Sequence, residues 1–93
     1  MIAVGSVVRL APKARLKFDR HAQKYMLLYP EHGIELSPTA ADVVTLCVEA
    51  RPVSAIVETL SSKYEKSDRE TIQRDVVELL QNLFDRGLVE VVS

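Results

Sequence analysis

Along residues 6–36, apolar and polar positions alternate in short runs. Val8 and Leu10 alternate with Val7 and Arg9, and Leu16 and Phe18 with Arg15, Lys17 and Asp19. The run Lys24-Tyr25-Met26-Leu27-Leu28-Tyr29 stops at Pro30. After the turn-like Glu31-His32-Gly33, Ile34 and Leu36 alternate with Glu35. Period two bounded by proline and glycine predicts strands. Their closeness in sequence predicts an antiparallel, three-stranded meander.

From Ser37 the period becomes helical. Ser37-Pro38 provides an N-cap followed by proline at the first helical position, where a missing N–H costs nothing. Ala40, Val43, Val44 and Cys47 then follow at helical spacing, and after the break at Pro52 so do Val53, Ile56, Val57, Leu60 and Tyr64. Ser67-Asp68-Arg69-Glu70 reads as a capping box, with Ser67 as cap and Glu70 reaching back. The helix it opens runs to about Arg86, and Gly87 is placed to be its left-handed stop. Leu88-Val89-Glu90-Val91-Val92 reads as a final extended piece. The expected fold is α+β: a β-strand part over residues 6–36, then three helices over 37–87, winged-helix-like, in one domain spanning 1–93.

The third helix carries an unusually wide apolar face. Ile72, Val76, Leu79 and Leu83 form a stripe of about 60°, and Leu80, Phe84 and Val77 widen it on one side by roughly another 100°. Arg74, Glu78, Gln81 and Asp85 occupy the far side. A face that wide serves either two neighbours inside the domain or one neighbour and a groove. Periodicity alone favours the first.

Composition narrows the functional classes. A chain of 93 residues, 47% hydrophobic and 27% charged, is globular with a modest core. Twelve basic against thirteen acidic residues give a net charge of −1. That balance provides no long-range pull toward phosphate backbones or anionic lipid. The acids beside Arg69 and Arg74 further weaken a DNA-binding reading of the third helix. No signal-peptide pattern and no long apolar window occur, so no membrane association and a cytoplasmic location are expected.

The chemistry-bearing residues do not assemble into a catalytic pattern. His21 and His32 sit in predicted turns without a second ligand at metal-binding spacing. Cys47 falls on the buried stripe of its helix without an activating base, and Gly5, Gly33 and Gly87 stand apart rather than forming a phosphate loop. No enzyme activity, metal or organic cofactor is expected. A binding module or an interaction subunit remains.

A family resemblance joins these segments. Arg9-Leu10-Ala11-Pro12, Leu27-Leu28-Tyr29-Pro30-Glu31, Leu36-Ser37-Pro38-Thr39-Ala40, and Asp75-Val76 through Leu79-Leu80-Gln81-Asn82-Leu83 to Gly87-Leu88 together resemble the PqqD family over residues 9–89. One departure is Glu49-Ala50-Arg51-Pro52, where relatives carry an Asp-Gly-type turn. The resemblance implies a non-catalytic peptide chaperone of pyrroloquinoline quinone (PQQ) biosynthesis. Such a protein binds the precursor peptide PqqA and presents it to the radical SAM enzyme PqqE. It also implies the architecture of leader-peptide recognition domains, in which the leader adds as a strand to a sheet edge beside the third helix. Carried onto this chain, that site comprises Gly33, Ile34, Glu35, Leu36 and Ser37, flanked by Val76, Val77, Leu80 and Phe84. An open edge can also pair with a second copy, which allows a homodimer. A winged-helix DNA-binding module and a structural interaction module are the alternatives.

Overall fold

The alternation over residues 15–36 becomes a meander of three strands in the computed structural model, which describes Met1–Ser93. Strands β2 (Arg15–Asp19), β3 (Lys24–Tyr29) and β4 (His32–Leu36) pair antiparallel in the order β2-β3-β4. Tyr25 lies opposite both Phe18 and Leu36, and Leu27 opposite both Leu16 and Ile34. Because side chains alternate across a pleated strand, these residues share one face, and Leu27 and Leu36 are buried on it. Arg15, Lys17, Met26, Leu28, Gly33 and Glu35 take the opposite face.

The first alternating segment, β1 (Val7–Leu10), does not join the meander. It lies between β5 (Arg51–Pro52) and β6 (Val89–Val91) in a second antiparallel sheet. The Glu49–Pro52 departure thereby acquires a role. Arg51 and Pro52 pair with Val8 and Val7, and Pro52 then occupies the N-cap position of the following helix without a side-chain capping bond. The C-terminal extended piece is β6, pinned to β1 by its ladder and by an Arg9–Glu90 ion pair of 2.8 Å.

Three helices follow the meander: α1 (Pro38–Leu46), α2 (Val53–Lys63) and α3 (Arg69–Asp85). Ser37 caps α1 as its sequence requires, its Oγ accepting from the Ala40 N–H at 3.2 Å. At the other end of the bundle, Gly87 ends α3 at φ 75°. The Leu88 N–H donates to the Leu83 carbonyl and the Gly87 N–H to that of Phe84, a Schellman closure. The start of α3 differs from expectation by one residue. Asp68 is the N-cap, while the Ser67 N–H closes a turn onto the Tyr64 carbonyl, so no capping box forms.

All 21 buried residues are apolar, among them Leu27 and Leu36 of the sheet, the inner faces of the three helices, and Leu88 and Val89. Cys47 is one of them. Burial pushes its thiol from the ordinary 9.0 up to about 11, opposed by a main-chain hydrogen bond. The folded state therefore holds that proton more tightly than the unfolded chain does. The associated stability is complete below pH 9 and is lost as pH rises toward 11. At pH 8 the native thiol is expected to resist a disulfide-exchange reagent such as DTNB and to react fully once the chain is denatured. Rapid labelling of native protein would contradict the packing of α1.

Candidate strand-addition site

The turn between β3 and β4 decides which backbone groups reach outward. Tyr29 pairs with His32 across the two-residue connection Pro30-Glu31. Proline suits the first central position of a type II turn, and Glu31, at φ 67°, takes the left-handed second position. Hydrogen bonding alternates along an antiparallel pair, so closure at Tyr29–His32 turns His32, Ile34 and Leu36 toward β3. The N–H and C=O groups of Gly33 and Glu35 then point to the open side of β4. None of the other main-chain hydrogen bonds reaches their N–H groups.

The side chains of β4 divide by face. Leu36 is buried and Ile34 half-buried against the core, whereas Gly33 and Glu35 are exposed. Glu35 forms an ion pair with Lys24 on the neighbouring strand. Gly33 lies opposite Leu28, where an added Cβ would come within 3.0 Å of Leu28 Cδ2. Ser37, exposed at the end of the strand, hands the chain to α1. The segment Gly33–Ser37 is thus an edge with one side free and its apolar side chains anchored beneath.

The helix residues expected beside that edge do not act as a single flank. Leu80 is fully buried and Val76 is only 2% exposed, so both are core. Val77 is half-buried and lines a hollow with Met1–Val4, where the Ile2 N–H donates to Gln81 Oε1 at 2.8 Å. Phe84 is half-buried against the core. Another α3 flank, through Asp75, Val76 and Leu79, shares a hollow of about 60 Å³ with Thr39 and Val43 of α1. Leu60 and Tyr64, at the end of α2, complete its lining, and Thr39 lies three residues beyond the end of β4. Leu79 already belonged to the apolar stripe in the sequence. What the sequence lacked was a sign of which flank residues 1–4 would cover.

A further cluster went unforeseen because its members are 21 and 22 residues apart in sequence. Asp42 on α1 accepts from Lys63 Nζ at 3.0 Å and from the Tyr64 hydroxyl. The hydrogen bond to Asp42 is the main cause that raises each of the Lys63 and Tyr64 pKa values above the ordinary one. The cluster borders an open hollow of about 640 Å³ whose opposite wall carries Phe18 and Tyr25. Their rings meet edge to face at 5.0 Å.

On α3 the arginines are matched locally. Arg69 pairs with Glu58 at 2.7 Å and Arg74 approaches Asp75 at 3.8 Å.

Known proteins resemble this chain over most of its length. The family model PqqD, coenzyme PQQ synthesis protein D, matches residues 24–89. A "PqqA binding protein" of Rhodopseudomonas palustris strain TIE-1 is 42% identical over 76 residues, covering 82% of this chain and 74% of the relative. Its counterpart in strain BisB5 is 41% identical over 88 residues, covering 95% and 85%. The solution structure of the PqqD truncation of Methylobacterium extorquens PqqCD is described as a functional, stand-alone recognition element for ribosomally synthesized and post-translationally modified peptides. It superposes with a TM-score of 0.82 at 30% identity, covering 97% of this chain and 95% of that one.

Proposed function

The chain belongs to the PqqD family, and from that membership and its open β4 edge we propose that it binds a PqqA-type precursor peptide by strand addition. The observation that carries the reading is the pair of unpartnered main-chain groups at Gly33 and Glu35. A peptide strand laid along β4 satisfies them, and main-chain pairing gives affinity for an extended segment of varied sequence. Ile34, Leu36 and Ser37 hold the edge in place. Leu79, half-buried over the core residue Val76, presents the apolar helix flank where peptide side chains find their register. Leu80 supports that flank from the core, and Val77 and Phe84 bound it on the far side.

In this reading the 93 residues act as one non-catalytic, cytoplasmic domain. It holds the peptide extended for a modifying enzyme, the radical SAM protein PqqE. The domain's part is positional: an ordered peptide reaches the enzyme with its conformational entropy already lost.

Amide chemical shifts during titration with the precursor peptide test the site. The largest changes are expected at residues 33–37 and along Asp75 to Leu83, with small changes from Val53 to Thr59. Changes concentrated on Arg69, Arg74 and α2 instead would move the partner site to the helix face and overturn the strand-addition reading.

A further inference from the structure

The outer face of the meander holds an apolar pair that the fold does not use. Met26 stands in a row between Lys17 and Glu35, and Leu28 in the next row between Arg15 and Gly33. Both are half-buried, yet neither belongs to the core nor packs against it. They lean over Gly33, where an added Cβ would lie 3.0 Å from Leu28 Cδ2 and 3.6 Å from Met26 Cε. The Gly33 backbone is not left-handed, so conformation does not call for glycine there. The absent side chain instead leaves Leu28 and Met26 within reach from the open side of β4.

We propose that this gap is a side-chain subsite: a bound peptide strand places one large aromatic residue opposite Gly33, lying over Leu28 and Met26. The inference rests on strand addition at β4. The N–H and C=O groups of Gly33 face outward, so the peptide residue opposite it forms a hydrogen-bonded pair with Cα atoms about 5.5 Å apart. That residue shares the face of Gly33, on the side away from the helices. Its direct neighbour offers no side chain, and the next one along the row is Leu28. An aromatic ring is long enough to cross the glycine and cover it, as aromatic residues do beside glycines in other sheets. The Met26 thioether favours an aromatic ring over an aliphatic chain.

The requirement is confined to one peptide position. The next residue of β4 on this face is Glu35, held in an ion pair with Lys24, and in the other direction the strand ends in the turn at Glu31. Neither presents apolar surface. Peptide residues on either side of the aromatic one turn toward the helices. The substrate class is therefore an extended segment with an aromatic residue on its outer face, in addition to whatever it turns toward Leu79. Gly33 thereby fixes register. A slip of one residue turns the ring to the helix side, and a slip of two sets it against Glu35.

Titration of methyl-labelled wild-type protein with a synthetic PqqA-type precursor peptide tests the contact directly. The Leu28 δ-methyl and Met26 ε-methyl resonances are expected to shift, with intermolecular NOEs to one aromatic side chain. Single-alanine variants of the peptide then weigh that residue. Its replacement should weaken binding about fivefold to the wild-type protein and less than about twofold to Leu28→Ala. Leu28 lies outside the core, so that variant is expected to fold, which a thermal melt checks. Amide changes at residues 33–37 with unmoved Met26 and Leu28 methyls overturn the subsite and leave strand addition standing. So does an aromatic residue whose replacement costs the same in the wild type and in Leu28→Ala. Silent amides at residues 33–37 overturn both readings.

Discussion

Glu35→Pro is expected to leave the fold intact and to lower affinity for the precursor peptide at least about tenfold, the equivalent of roughly 1.4 kcal/mol. The Glu35 N–H points away from β3, so proline removes no bond from the existing ladder. Proline also restrains the residue before it to extended backbone, which Ile34 already has. The Lys24–Glu35 ion pair is lost, yet both side chains are more than half exposed, and such pairs contribute about 0–1 kcal/mol. What disappears is a donor offered to an incoming strand, together with the room for that strand beside the ring. Ile34→Pro is the opposite control. Its N–H faces β3, so that change removes a ladder hydrogen bond, leaves a carbonyl of β3 unpaired and should cost the fold about 1–3 kcal/mol. Thermal melts and calorimetric titration of both variants separate the two effects. Wild-type affinity in folded Glu35→Pro would show that the peptide does not pair with β4.

That contrast between neighbouring residues was only half legible in the sequence. Alternation identified Ile34 and Leu36 as one face and Glu35 as the other, and Pro30 marked the turn. Which backbone groups face outward depends on the closing pair, and the sequence placed the turn at Glu31–Gly33 rather than at Pro30–Glu31. The strand Val7–Leu10 shows the limit more sharply. Its pattern matches that of the meander strands, but its partners lie more than 40 and about 80 residues away. Local periodicity contains no information about them. The start of α3 fails for another reason. Ser67 and Asp68 are both good caps, and the local turn that ties the Ser67 N–H to the Tyr64 carbonyl, rather than intrinsic preference, selects between them.

The breadth of the α3 face was legible, and the residues that cover each of its flanks were not. A hydrophobic stripe reports how much of a helix is covered, not by what. Met1–Val4 contains a single large aliphatic run, and nothing in it announces that Ile2 would pack to 3% exposure with its N–H bonded to α3. Peptide identity lies further still from the pattern. The geometry offers an edge to an extended chain, and it is family membership that makes a PqqA-type peptide the one proposed.

Leu80→Asp is expected to unfold much of the population rather than to report on binding. Leu80 is fully buried. Truncating such a leucine costs about 2–5 kcal/mol in lost burial and cavity formation. A carboxyl group in its place adds a desolvation cost of at least about 2 kcal/mol even if it is neutral and unpaired. A chain of this length has roughly 5–14 kcal/mol of stability in total, so the sum removes most of the margin. Protonation gives the change a pH signature. Burial raises the pKa of the new carboxyl in the folded state, so the residual fold should be strongest at acid pH and weaken as pH rises. Leu79→Asp provides the complementary measurement. Leu79 is half-buried and lines the hollow with Thr39 and Asp75, where a charge can reach water. That variant should keep a cooperative urea transition while losing peptide affinity, since it places a second carboxylate beside Asp75 on the proposed flank. Wild-type stability in Leu80→Asp would mean that α3 presents a different face to the core. Undiminished affinity in a folded Leu79→Asp would remove this flank from the peptide site.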